Sequence, residues 1–279
     1  MKIEKIKIDE HGARAVLSDV TPSFMNALRR ALMAEVPKMA ISDVEFHLGA
    51  ISDEEGKAFE STAPLFDEMI AHRLSLVPIP TDLSLFTFRS ECSCKGEGCP
   101  TCTIMYSLNK KGPAVVYSGD LEPLGDDKFR VKDPLIPLTK LADGEALLIY
   151  GTATLGRGRE HAKWQATQAV GYNYYPSIAI SKKCDGCGDC IKRCPREVLA
   201  KKDGKAVVEK LEDCTLCKTC VEVCPQKAVT LSEDSTKVIF KFETDGSVPP
   251  KDALLFALKY LEDAFGTLRD AVGDMEDAA

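Results

Sequence analysis

The feature that most constrains this chain is a duplicated cysteine run. Cys184-x-x-Cys187-x-x-Cys190-x-x-x-Cys194-Pro195 recurs thirty residues later as Cys214-x-x-Cys217-x-x-Cys220-x-x-x-Cys224-Pro225. These eight of the chain's twelve cysteines have the spacing in which three thiolates on one tight loop wrap a corner of an iron–sulfur cubane. A loop that spends three cysteines on one corner has none left to close that cluster, so the fourth ligand comes from the other run. One [4Fe-4S] cluster is therefore assigned to Cys184, Cys187, Cys190 and Cys224, and a second to Cys214, Cys217, Cys220 and Cys194. The proline after each fourth cysteine removes a backbone donor and fixes φ, which suits a sharp turn. Zinc, disulfides or inert thiols would leave the repeat unexplained, and it extends to the prolines and to the apolar pairs Val198-Leu199 and Ala228-Val229.

The 279 residues, 44% hydrophobic and 28% charged, suffice for more than one globular domain, and no run approaches a membrane span. A net charge of -7 argues against a protein whose main task is to neutralise phosphate, so no specific nucleic-acid binding of its own is expected. The amino terminus, Met1-Lys2-Ile3-Glu4-Lys5-Ile6-Lys7, alternates isoleucine with charge and has no apolar signal core. The expected location is cytoplasmic, where reduced thiols persist.

The chain reads as α+β. Lys2 to Ile8 and Ala13 to Val20 form an expected hairpin around Glu10-His11-Gly12. Thr21-Pro22 supplies a cap and a first-turn proline for a helix carrying Phe24, Leu28, Ala31, Leu32 and Glu35 on one side and stopping at Val36-Pro37. A strand over Ala40 to Leu48, a loop from Ile51 to Gly56 and a helix from Pro64 to Leu76 follow. Phe86 to Tyr150 reads as short strands broken by turns such as Ser118-Gly119-Asp120 and Gly125-Asp126-Asp127. The ferredoxin-like block runs from about Ser177 to Leu231, its halves joined through a hairpin at Lys202-Asp203-Gly204-Lys205, and Val238 to Phe242 alternates as a strand after it. Ser247 and Pro249-Pro250 open a long last helix. Its Leu254, Leu258, Leu261, Phe265, Leu268 and Val272 recur in steps of four and three, with Ala257, Ala264 and Ala271 beside the seam. Burial of six such side chains contributes on the order of 9 to 18 kcal/mol gross, at ~1.5 to 3 each before entropy is subtracted. A helix of the same chain or one of another subunit must cover that stripe.

Cys92-x-Cys94 and Cys99-x-x-Cys102 form a separate four-thiolate loop of the kind that holds a structural zinc, with a metal-free reduced loop as the alternative. Four thiolates leave zinc no open position, so no catalysis is expected there. Gly151-Thr-Ala-Thr-Leu-Gly156-Arg157-Gly158 lacks the Lys-[Ser/Thr] of a phosphate loop and is rejected as one. The four histidines show no catalytic spacing, and His72 falls inside a structural helix.

Outside the cysteines, Asn26-Ala27-Leu28-Arg29-Arg30-Ala31-Leu32, Asp67-Glu68-Met69-Ile70-Ala71-His72-Arg73-Leu74, the loop Gly158-Arg159-Glu160-His161-Ala162-Lys163-Trp164 and Glu243-Thr244-Asp245-Gly246-Ser247 together resemble one family. It is the alpha-like assembly subunit of cellular DNA-directed RNA polymerases, in its archaeal branch, equivalent to bacterial alpha and the eukaryotic third subunit. The resemblance implies a discontinuous dimerisation domain over residues 1–45 and 232–279, an insert domain over 46–176 with the Cys92 loop, and the cluster domain over 177–231. It implies that Leu254, Leu258, Leu261, Phe265 and Leu268 pack on a smaller alpha-like subunit, called L in archaea. The pair would then be a platform for small subunit N and the large catalytic subunits, with Arg29 and Arg30 touching the second-largest one.

The expected function is thus a noncatalytic assembly subunit with no catalytic residues of its own, its two clusters structural or regulatory. The alternative is an iron–sulfur electron-transfer protein or oxidoreductase subunit, which accounts for the cysteines but meets no dinucleotide fingerprint or second redox motif in this sequence.

Overall fold

The computed structural model describes residues 1–52 and 58–277, so most of the loop expected over Ile51–Gly56 lies outside the described residues. The chain forms two compact units. One holds Met1–Ile8, Ala13–Ala27 and Val170–Phe242; the other holds Asp9–Gly12, Leu28–Ala169 and the chain from Glu243 on.

In order, the strands are β1 Lys2–Ile8, β2 Gly12–Ser18, β3 Pro37–Phe46, β4 Ala50–Ser52, β5 Ala58–Ser61, β6 Thr103–Lys111 and β7 Ala114–Tyr117. They continue with β8 Glu122–Pro123, β9 Pro137–Leu141, β10 Glu145–Arg157, β11 Thr167–Ile180, β12 Leu199–Lys202, β13 Lys205–Val208 and β14 Val229–Thr244. The helices are α1 Pro22–Ala34, α2 Asp67–Ser75, two single turns α3 Asp189–Lys192 and α4 Thr219–Glu222, and α5 Pro250–Asp277.

The first unit is organised by a four-stranded sheet in the order β1-β2-β14-β11. The amino-terminal alternation is imperfect because β1 carries a bulge between Ile3 and Lys5. The bulge puts Ile3, Ile6 and Ile8 opposite Leu17, Ala15 and Ala13, which returns the three isoleucines to one face. The Thr21 hydroxyl accepts from the Phe24 amide at 3.3 Å and so caps α1 as its spacing predicts. The strand expected only at Val238–Phe242 is the end of the much longer β14, and β11 likewise runs on to Ile180, so both enter the cysteine block directly.

In the second unit β10 is the central strand, antiparallel to β6 and β3 and parallel to β5. Its core gathers Met39, Ile41, Tyr106, Leu108, Leu147 and Ile149 with Ile70 and Leu74 of α2. The α2 helix starts at Asp67 and not at Pro64, because Phe66 is extended (φ -60, ψ 147). Only Ile70 and Leu74 of its expected apolar stripe are buried, while Met69 is exposed. The rejected phosphate loop lies on β10 and its end. A Cβ on Gly156 would come within 2.3 Å of the Trp164 ring, so that glycine serves close packing.

Candidate metal centres and assembly face

The Cys92–Cys102 loop folds because its backbone turns twice. Lys95, Gly96 and Gly98 take positive φ, the Lys95 amide donates to the Cys92 carbonyl at 2.9 Å, and the Cys102 amide donates to Cys99 O at 2.9 Å. The Arg89 guanidinium donates to Gly96 O at 2.7 Å and pins the tip. All four Sγ atoms then lie within 4.8 Å of one another. Cys92 and Cys99 are 3.5 Å apart, Cys94 and Cys102 3.6 Å, and Cys99 and Cys102 3.8 Å. A tetrahedron with ~2.3 Å zinc–sulfur bonds has edges of about 3.8 Å, so the donor set fits one such ion.

The thiols are unequal. The Thr101 hydroxyl, 3.4 Å from Cys92 Sγ, and the Cys94 amide hold Cys92 down to about 5. The same hydroxyl, 2.9 Å from Cys99 Sγ, lowers Cys99, whereas burial pushes Cys102 up to about 12. A bound cation would offset that burial cost, because a coordinated thiol is deprotonated outright.

The duplicated run is built differently. Cys190 and Cys220 are buried on the single turns α3 and α4, Cys187 and Cys217 are exposed, and the other four are intermediate. Leu199, Ala206, Val229, Ile178 and Ile180 supply apolar walls. The fourth cysteines accept backbone amides: Val198 N donates to Cys194 Sγ at 3.4 Å and Ala228 N to Cys224 Sγ at 3.2 Å. Burial raises the Cys190 thiol first, followed by the charges of Cys224, Cys187 and Cys184. Burial likewise raises Cys220, followed by Cys214, Cys217 and Cys194. Each buried cysteine thus has as neighbours the first two cysteines of its own run and the fourth of the other run. A small cavity lined by Cys194, Cys214, Cys217 and Cys220 shows the same crossing. Four convergent thiols, apolar walls and amide donors to sulfur fit the cluster chemistry.

The repeat is also a repeat of backbone conformation. Gly186 and Gly188 take positive φ (75° and 88°), and so do their counterparts Leu216 and Lys218 (56° and 63°). A Cβ on Gly186 would come within 1.7 Å of Gly204 O in the β12–β13 turn, so the first loop requires glycine there.

On α5 the heptad-like stripe is left open. Leu254 and Leu261 are half-buried, Leu258 is 36% exposed, and Phe265 and Leu268 are each 61% exposed. Ala253 and Ala257 are instead buried completely. On α1, Arg29 is half-buried against Met33 Sδ at 3.7 Å, and Arg30 faces solvent. His72 faces solvent, and His161 accepts the Lys163 amide at 3.1 Å. Sequence reasoning missed two ionic features. Lys38, 3% exposed, pairs with Asp245, whose other oxygen accepts Ser247 N at 3.0 Å. Glu212 and Asp213 meet Lys5 and Arg14.

Residues 14–265 match the model of the RNA polymerase Rpb3/Rpb11 dimerisation domain. The chain is 39% identical over 274 residues to the DNA-directed RNA polymerase subunit Rpo3 of Picrophilus torridus, covering 98% of this chain and 100% of that one. It is 41% identical to its counterpart of the same name in Thermoplasma volcanium (98% and 100% covered), and 46% to that of Methanothermobacter thermautotrophicus (89% and 90%). With the match spanning nearly the whole sequence, this chain belongs to the RNA polymerase Rpb3/Rpb11 dimerisation-domain family.

Proposed function

We propose that this chain is a noncatalytic assembly subunit of DNA-dependent RNA polymerase, the larger alpha-like subunit of the archaeal enzyme, pairing with the smaller alpha-like subunit L. The observation that carries the reading is the open stripe on α5: Phe265 and Leu268 are each 61% exposed on a helix whose family is defined by dimerisation. A stripe of this length left in water invites a partner. The dimerisation domain is residues 1–45 with 232–279, the insert domain 46–176 and the cluster domain 177–231. Subunit N and the large catalytic subunits bind to the pair, and exposed Arg30 with Arg29 beside it is the proposed contact for the second-largest one.

In this reading Cys184, Cys187, Cys190 and Cys224 hold one [4Fe-4S] cluster and Cys214, Cys217, Cys220 and Cys194 the other, while Cys92, Cys94, Cys99 and Cys102 hold zinc. When bound, the clusters supply cross-links, and with them folding energy, to a block of small apolar content, together with a redox-active centre. The thiols that hold them are positioned by α3, α4 and the amides of Val198 and Ala228.

The test is Leu258→Asp with Leu261→Asp. Unpaired carboxylates in the seam should abolish association with coexpressed subunit L in size-exclusion chromatography while iron content stays unchanged. Wild-type affinity of the double variant would overturn the proposed face.

A further inference from the structure

We infer that Glu212 and Asp213, the two residues ahead of Cys214, tie occupancy of the second cysteine set to the amino-terminal hairpin, so that losing that cluster loosens β1 and β2 whereas losing the other does not. The inference rests on the two-cluster reading above. Leu211–Asp213 form a single 3-10 turn that ends in Cys214, whose amide donates to Leu211 O at 3.1 Å. Both hairpin strands hold this turn. Lys5 of β1 donates to the Glu212 carboxylate. Arg14 of β2 donates to Asp213 Oδ1 at 3.3 Å and to the Glu212 backbone carbonyl at 2.9 Å, and lies 3.9 Å from the Glu212 carboxylate. The bond to the carbonyl matters most, because it fixes the main chain of the turn and not only its charges. A single exposed ion pair contributes little, but one planar guanidinium donating to two acceptors, with a second carboxylate beside it, is preorganised.

Two asymmetries of the repeat confine the effect to one set. The positions equivalent to Glu212 and Asp213 are Lys182 and Lys183, which have the same sign as Lys5 and Arg14 and so cannot form the clamp. The first loop places Gly186 and Gly188 at its positive-φ positions, whereas the second places Leu216 and Lys218 there. Side-chain-bearing residues keep such a conformation only while their surroundings over-determine it. With Cys214 and Cys217 released, the second loop has strain to relieve, and its relaxation displaces the turn that Arg14 grips. The hairpin is able to register this, since all of β1 is exposed and it forms one edge of its sheet.

The experiment is amide hydrogen exchange by mass spectrometry on the full chain prepared without oxygen, with iron and sulfide measured on every sample. Hairpin amides should exchange about 5-fold faster or more in Cys217→Ser, the low end of ordinary couplings, and at the wild-type rate in Cys187→Ser. Arg14→Gln with Glu212→Gln should raise hairpin exchange to the same level while retaining the metal. That variant keeps every cysteine and therefore reports even where a cysteine variant fails to fold. Adding Cys217→Ser to it should raise exchange no further. Equal responses to the two cysteine variants, no response to Cys217→Ser, or no response to the clamp variant would overturn the inference and leave the cluster reading standing. A wild-type protein without iron and sulfide would overturn both.

Discussion

In the Cys92–Cys102 loop the closest thiols crowd to between 3.5 and 3.8 Å, whereas each set of the duplicated run gathers its four thiols from two loops thirty residues apart in sequence. The first is closed by local turns within eleven residues; the second requires the chain to fold back on itself. In the proposed reading the same side chain serves a single ion in one place and a cluster in the other, with spacing and backbone, more than the thiol, selecting the partner. The contrast extends to what each region needs in order to fold. The Cys92 loop hangs from β6 beside a core that includes Tyr106 and Leu108, while the duplicated block has a small apolar core in which cysteines themselves take part.

The largest expected effect tests that second point. Protein made without oxygen should carry about eight iron and eight sulfide per chain, two cubanes, and Cys187→Ser with Cys217→Ser should remove them and unfold the block. Hydrogen exchange of β12 and β13 checks it, with the β10–β6 pairing unaffected. Retained protection in the block would show that it folds without metal. Next, Cys94→Ser should abolish zinc binding while leaving iron at its wild-type amount, measured by elemental analysis. A coordinated fall in both metals would break the separation between the two regions.

A smaller effect concerns acid. Zinc binds thiolates, so protonation releases it as pH falls. Cys92 is held down to about 5 by the Thr101 hydroxyl and the Cys94 amide, which keeps it ionised as the solution is acidified. Thr101→Val removes the hydroxyl and raises the thiol's pKa, so a zinc-sensitive dye should report release at higher pH than in wild type. An unchanged midpoint would mean that the hydroxyl does not act on the bound thiolate. The smallest effect is Lys218→Gly. Lys218 sits at φ 63, ψ -3, where a Cβ costs about 1 kcal/mol of steric strain that glycine does not carry, offset in part by glycine's larger loss of backbone entropy. The variant should gain up to ~1 kcal/mol in anaerobic denaturation, and the matching change in the first loop, Gly188→Lys, should lose a similar amount.

Much of this was legible without coordinates because it depends on neighbours close in sequence. The Thr21 cap, the Asp203-Gly204 turn and the ligand spacing are all set within a few residues. The length of β14 was not. Its middle, Ser232 to Thr236, is polar and exposed and reads as loop, but strand pairing supplies its backbone hydrogen bonds whatever the side chains are. Glu243 to Ser247 was recognisable as a pattern, yet its reason lies far away: Asp245 neutralises Lys38, 207 residues earlier, which is otherwise an unpaired charge in a buried place.

The sequence by itself determined the chemistry available to this protein: which cysteines form runs, which helix carries an apolar stripe, and which family it resembles. Only the tertiary structure decided where that chemistry is anchored. Glu212 and Asp213 read as two ordinary acidic residues until the fold brings them to Lys5 and Arg14, about 200 residues away in the chain. The α5 stripe reads equally well as core or as interface until the fold is seen to leave Phe265 and Leu268 in solvent. Periodicity fixes which face of a helix is apolar; what covers that face is a long-range packing outcome that no local pattern encodes.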